Sequence, residues 1–258
     1  MRQALHAEWT KLRTAAAPGW LLLAAIAATA VVGALAANAV SCPGGGCQID
    51  PAKSSLTGIY LGQAIVAVVA TVAVSGEYST GMIRPTLTAT PRRWQVLAAK
   101  ATVVGTATLV TGAVAVLISV STGQSLLDGH GINPAHGYET LSLANGTVLR
   151  AAAGSVLYLT LIALFGLGIA AAIRDSAVSI GVVLGLLYLF PIVANFVGDA
   201  DWKRHLDQIS PMTAGMYIQA TTDLRSLPLT PWQGLGVLAA WAAGTLLAGG
   251  LLLRLRDV

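Results

Sequence analysis

The sequence predicts an all-α membrane protein with six transmembrane helices. Of its 258 residues, 55% are hydrophobic and only 10% are charged, whereas an ordinary soluble domain carries about 25% charged residues. Long apolar runs without alternation indicate helices, because only helices and closed barrels satisfy their backbone in lipid. Six segments contain no Asp, Glu, Lys, Arg or His and reach the roughly 20 residues that a spanning helix needs. They are 20–40, 56–75, 101–121, 151–173, 177–198 and 232–253.

The apolar segments follow one another from end to end, so we expect a single membrane domain over residues 1–258. The first segment is a mostly apolar run of 21 residues, which is longer than the roughly 7–15 of a signal peptide. We therefore interpret it as a retained helix. The net charge is +4, but the basic residues are spread over short segments between the spans. That distribution argues against a nucleic-acid-binding surface, where basic residues cluster on one face.

The basic residues predict the orientation, because loops rich in Lys and Arg stay in the cytoplasm. With the N-terminus inside, ten basic residues are cytoplasmic and five are external, and we expect both termini in the cytoplasm. The cytoplasmic set is Arg2, Lys11, Arg13, Arg84, Arg92, Arg93, Lys100, Arg174, Arg254 and Arg256. The external set is Lys53, Arg150, Lys203, Arg204 and Arg225.

Residues 2–14 predict a short amphipathic helix before the first span. Leu5, Trp9 and Leu12 recur at i, i+4 and i+7, so they share one face. We expect residues 1–18 to form an interfacial helix that lies at the membrane surface, with Trp9, Lys11 and Arg13 near the headgroups. The alternative is an ordinary basic flank that only sets the topology.

Motifs for catalysis are absent from the sequence. It has neither a G-x-x-x-x-G-K-[ST] phosphate loop nor an H-E-x-x-H metal motif, so we expect no enzyme activity and no cofactor or metal in this chain. The spans lack the ionisable groups that ion-coupled transporters use. Cys42 and Cys47 are spaced so that a disulfide is possible, and the predicted topology places them outside, where disulfides persist.

The most unusual segment is residues 76–100, between the second and third spans. Glu77 sits where the second span ends, Gly81 permits a sharp turn, and Arg84, Arg92 and Arg93 supply positive charge. This pattern is compatible with a short helix across the inner face, with Glu77 paired to a nearby basic group. A plain basic loop that follows the positive-inside rule is the alternative.

Three stretches carry a resemblance to a known family. E-W-T-K-L-R at 8–13, G-E-Y-S-T-G-M-I-R at 76–84, and P-R-R at 91–93 followed by Lys100 resemble the ABC-2 type permease subunits of bacterial ATP-binding-cassette exporters. The resemblance implies a homodimer or heterodimer of permease chains in the bacterial plasma membrane. It also implies a separate cytosolic ATPase subunit that binds ATP and Mg²⁺ and docks on the 76–100 segment. The implied coupling residues are Glu77, Tyr78, Gly81, Arg84, Arg92 and Arg93.

The family exports drugs, peptides and lipid-like molecules, so a hydrophobic or amphipathic cargo is expected but not a particular one. A non-transporting membrane anchor or sensor, which recruits a cytosolic partner through 76–100, is the alternative function. For the remaining segments, we expect Gly181 and Gly185 to pack inside the bundle and residues 122–147 to be irregular. A helix-compatible stretch at 212–222 is expected to dip into the outer membrane surface.

Overall fold

The computed structural model describes residues 2–14, 16–40, 49–82, 85, 93–130, 132 and 141–255. This part of the chain is helical and contains no strand. The described residues form ten α-helices, and a 3₁₀ turn at Tyr217–Gln219 follows the ninth. The helices are α1 Arg2–Thr14, α2 Ala16–Ala39, α3 Pro51–Ser55, α4 Ile59–Ser79, α5 Arg93–Gly129, α6 Gly146–Ile173, α7 Ser176–Phe196, α8 Ala200–Ile209, α9 Pro211–Met216 and α10 Pro231–Leu255.

Six of these helices, α2, α4, α5, α6, α7 and α10, are long and apolar enough to cross a membrane. The predicted all-α class with six such helices is therefore confirmed. The third helix is longer than expected, because α5 has 37 residues and continues to Gly129. Residues 122–129, expected to be irregular, are helical. Polar residues such as Gln124 and Ser125 end an apolar run in the sequence, but they do not end a helix.

The bundle has an inner and an outer set of helices. α6 lies at its centre, where it packs against α4, α5, α7 and α10, while α2 packs against α4 and α5. More than half of the most apolar stretch of α4, α5 and α6 is buried, against 22% for α2, α7 and α10. Small residues permit the close contacts. A Cβ at Gly168 in α6 would lie 2.5 Å from the backbone carbonyl carbon of Thr245 in α10.

A two-residue connection joins α6 to α7. Arg174 adopts the left-handed conformation, with φ of 68°, and its backbone N–H donates to Ala170 O at the end of α6. Asp175 then caps α7, because its side chain accepts a hydrogen bond from Val178 N at 2.8 Å. The fourth and fifth long helices therefore form a tight hairpin.

The segment between α7 and α10 folds back into the bundle. Ser210 caps α9 through Thr213 N at 3.1 Å, and α9 lies among α6, α7 and α10. A Cβ at Gly234 of α10 would overlap the carbonyl oxygen of Ala214 in α9, so the two helices are in close contact. The helix-compatible stretch at 212–222 is thus helical as far as Gln219, and most of its residues up to Ala220 are buried in the bundle.

The expectation for Gly181 and Gly185 was wrong. Both glycines are on the exposed face of α7, and a Cβ at either position would meet nothing within 4 Å. The glycines that pack helices together are others, among them Gly168 and Gly234. Spacing alone does not show which face of a helix meets the bundle, since α7 has apolar residues all round.

Candidate functional site

Four charged side chains meet where α1, α4 and α5 come together, and we call them the four-charge cluster: Glu8, Lys11, Glu77 and Lys100. Glu8, Glu77 and Lys100 retain only 6%, 6% and 5% of their exposure. The Lys11 side chain is one-third exposed, at 33%. Buried charges are tolerated only when they are paired, and here each carboxylate meets both ammonium groups.

Four ion pairs join the members of the cluster to one another. Lys11 Nζ donates to Glu8 Oε1 at 2.9 Å and to Glu77 Oε1 at 2.8 Å. Lys100 Nζ donates to Glu77 Oε1 at 2.8 Å and also to Glu8 Oε2. These bonds connect helices that are far apart in sequence, so the N-terminal helix is held to both α4 and α5.

Local sequence places each member of the cluster. Glu8 and Lys11 are three residues apart and therefore on one face of α1. Glu77 lies in the last turn of α4, and Lys100 lies two turns after the start of α5. Glu77 and Lys100 thus stand on the two sides of the α4–α5 loop (residues 80–92). The cluster connects this loop's two ends to each other and to α1.

The pKa of Lys11 is set by two opposing effects. Burial lowers this pKa, but the hydrogen bonds from Lys11 to Glu77 and Glu8 outweigh burial and raise it above its usual value of 10.5. Lys11 therefore stays protonated throughout the physiological range, and its ion pairs persist there.

A second set of contacts holds the end of α10 at the same end of the bundle. Arg93, the first residue of α5, donates from Nη1 to Leu253 O at 2.8 Å. Arg174 donates from Nη2 to Leu252 O at 3.2 Å and lies over the Tyr78 ring, 5.4 Å from its centroid. Basic groups at a helix C-terminus satisfy its free carbonyls and oppose its dipole. The start of α5 is therefore connected to α10 as well.

The structure brings together some of the predicted site residues. Glu77 and Lys11 are in the four-charge cluster, and the expected pairing of Glu77 with a basic group is confirmed. Tyr78 and Arg93 lie beside the end of α10. Gly81 has φ of +73°, as a turn glycine permits. Four predicted residues lie outside the described part of the chain: Arg84, Arg92, Cys42 and Cys47. Most of the short helix expected within residues 76–100 also lies outside it.

The face of α1 that meets the bundle carries Glu8. Trp9 is 50% exposed and Arg13 is exposed, whereas Glu8 is the buried residue of this helix. The pairing of Glu8 with Lys100 was not predicted from the sequence. One signal was available: Glu8 and Glu77 are acids in segments where basic residues predominate.

No model of a known protein family matches the chain, and no curated protein matches it. Its function is therefore inferred from the sequence and from the geometry of the four-charge cluster.

Proposed function

We propose that this chain is the membrane-spanning permease subunit of an ABC-2 type ATP-binding-cassette exporter, driven by a separate cytosolic ATPase subunit. The observation that carries the proposal is the position of the four-charge cluster. It fixes α1 and both ends of the α4–α5 loop as one unit. An ATPase that moves this loop would therefore move α1, α4 and α5 together, and Arg93 would extend the motion to α10.

The proposal includes an orientation. Both termini, the four-charge cluster and the end of α10 lie at the cytoplasmic side of a bacterial plasma membrane, because ten of the fifteen basic residues are then inside. In this orientation α1 lies at the inner interface. Its exposed Trp9 and Arg13 face the headgroup region, where amphipathic helices place aromatic and basic groups.

Transport requires a path, which we assign to the space between two permease chains, as a homodimer or a heterodimer. ATP binding by the partner subunits displaces the α4–α5 loops, and the helices fixed to those loops change the side on which the path is open. The cargo is a hydrophobic or amphipathic molecule. The chain itself supplies no ATP chemistry, since its sequence has no phosphate loop.

The test co-expresses the chain with candidate Walker-motif ATPases from the same genome. The ATPase that co-purifies with the chain is reconstituted with it in vesicles that contain a fluorescent amphipathic dye. We expect ATP-dependent dye movement with the wild-type chain. In the Glu77→Gln variant we expect a loss of about tenfold or more, because loss of a charged hydrogen-bond partner costs about 1.5–3 kcal/mol. ATP hydrolysis should continue without transport.

Asp201→Asn, on the exposed face of α8, is the matched control and should transport normally. Dye movement by Glu77→Gln at the wild-type rate would contradict the coupling role. Stable binding of the ATPase without any transport by the wild-type chain would favour the anchor or sensor function instead. Failure of the ATPase to bind would contradict both functions.

A further inference from the structure

Helix α8 presents an apolar face to the outside of the bundle. Trp202, Leu206 and Ile209 recur at i, i+4 and i+7, so they share one side of this helix. Trp202 is 68% exposed and Ile209 is 53% exposed, and α8 contains no buried residue. Apolar surface is unfavourable in water, so this face requires an apolar partner.

The position of α8 in the bundle indicates which partner this is. α8 starts four residues after α7 ends and packs against α7, α9 and α10. Phe196, the last residue of α7, is 86% exposed, and Trp232, the second residue of α10, is 57% exposed. Exposed aromatic residues at the ends of spanning helices are typical of the boundary between acyl chains and headgroups. α8 therefore lies at this boundary, at the end of the bundle opposite the four-charge cluster.

An apolar groove continues this face along α10. The groove has a volume of about 600 Å³ and lies between the C-terminal end of α8 and α10. Ile209 lines it together with three small, exposed residues of α10, which are Ala240, Gly244 and Ala248. Trp241 Nε1 donates to Ile209 O at 2.9 Å and so holds the end of α8 on α10. Because α10 is long and apolar enough to cross a membrane, the apolar face of α8 is continuous with a surface that meets lipid.

The charged residues of α8 point away from the apolar face and carry no net charge. Asp201, Lys203 and Arg204 are exposed and Asp207 is half-buried, so two acids balance two bases. Helices that bind membranes by electrostatic attraction are rich in Lys and Arg on their polar face. Contact between α8 and lipid therefore depends on its apolar residues and not on anionic headgroups.

We propose that α8 is an interfacial helix, whose partner is the phospholipid surface at the end of the bundle opposite the four-charge cluster. Its apolar face enters the boundary between headgroups and acyl chains, and acyl chains fill the groove between α8 and α10. The surface position that the sequence predicted for 212–222 is thus taken by the preceding helix. This inference holds whether or not the chain works as an exporter.

The test is a nitroxide scan of the full chain in phosphatidylcholine nanodiscs. Both native cysteines are replaced by serine, and a single labelled cysteine is placed in turn at each position from 200 to 209. Oxygen reports contact with lipid, and a water-soluble nickel chelate reports contact with water. Oxygen accessibility should peak at positions 202, 206 and 209, at a depth of about 5–10 Å, and nickel accessibility should peak at 203 and 204. Labels at Val193 of α7 and at Ser226, which are both exposed, supply the lipid and water references.

Three results of the scan would overturn the proposal. Positions 202 and 209 closed to both reagents would mean that protein, such as a second copy of the chain, covers the face. High nickel accessibility at these positions would mean that the face lies in water. A lipid pattern that appears only after anionic phosphatidylglycerol is added would mean that charge, and not the apolar face, holds α8 at the membrane.

A charge on the apolar face provides a second test. Trp202→Asp places an unpaired carboxylate where the proposal puts lipid, which is unfavourable. With the label at position 206, this variant should lose oxygen accessibility and gain nickel accessibility. Ala200→Asp adds the same charge on the exposed polar side of α8 and, as the matched control, should keep the original values. Unchanged values in Trp202→Asp would refute lipid contact at this face, and if that variant does not fold, the scan decides.

Discussion

Two polar clusters connect helices of this bundle, and their chemistry differs. The four-charge cluster joins α1, α4 and α5. The second, which we call the tyrosine cluster (Tyr60, Gln63, Tyr158 and Tyr188), joins α4, α6 and α7 and is neutral. The Tyr158 hydroxyl donates to Gln63 Oε1, and Gln63 Nε2 donates to the Tyr188 hydroxyl at 3.2 Å. The Tyr188 hydroxyl in turn donates to the Tyr60 carbonyl at 2.6 Å.

The two clusters occupy different parts of the helices. The tyrosine cluster connects two inner helices to α7 through residues well inside α6 and α7, and Gln63 and Tyr158 are fully buried. The four-charge cluster lies at helix ends, beside a loop. Charges interact over longer distances than neutral dipoles. Near a protein surface, the interaction energy of two unit charges 4 Å apart is about 4 kcal/mol. The charged cluster is thus the one that an approaching partner or ligand can perturb.

The largest effect is expected from removing one charge of the four-charge cluster. Lys100→Met leaves two buried carboxylates with Lys11 as their remaining partner, and breaking a buried pair costs about 3–5 kcal/mol. We expect a loss of this size in the free energy of unfolding, measured by denaturant titration in detergent. Lys203→Met, on exposed α8, is the control and should change stability by less than about 0.5 kcal/mol. Equal stability of the two variants would show that the cluster contributes little.

A smaller effect is expected in the tyrosine cluster. Tyr158→Phe removes the hydroxyl that donates to Gln63 and leaves a buried amide oxygen unpaired, which costs about 1–3 kcal/mol. Combining it with Gln63→Leu should recover part of the loss, since replacing both partners by apolar groups is often nearly neutral. The four unfolding free energies form a double-mutant cycle. A double variant that loses as much as the sum of the single variants would contradict this account.

The sequence predicts some of these features and not others, for physical reasons. Apolar runs predict the six long helices because hydrophobicity along one segment is enough to place it in lipid. The end of α5 at Gly129 was missed, since a helix continues beyond its apolar part. The pairing of Glu77 with a basic group follows from local charge. The identity of its partners on α1 and α5 does not follow from the sequence. Lys11 and Glu77 are 66 residues apart, and their contact depends on how the helices pack.

The smallest effect is expected from a rise in pH that deprotonates Lys11 of the four-charge cluster. The pKa of Lys11 is raised in the folded protein, so its stabilising contribution is fully present below the unfolded pKa of about 10.5. It is lost as pH rises through the higher folded pKa.

Because Lys11 is partly exposed, its pairs contribute less than about 1 kcal/mol. The stability difference between the wild type and Lys11→Met should therefore be constant from pH 6 to 9 and shrink above about 10.5. The difference between the wild type and Gln63→Leu should stay flat over pH 6 to 9, because glutamine does not titrate. A Lys11→Met difference that already disappears between pH 6 and 9 would contradict the raised pKa.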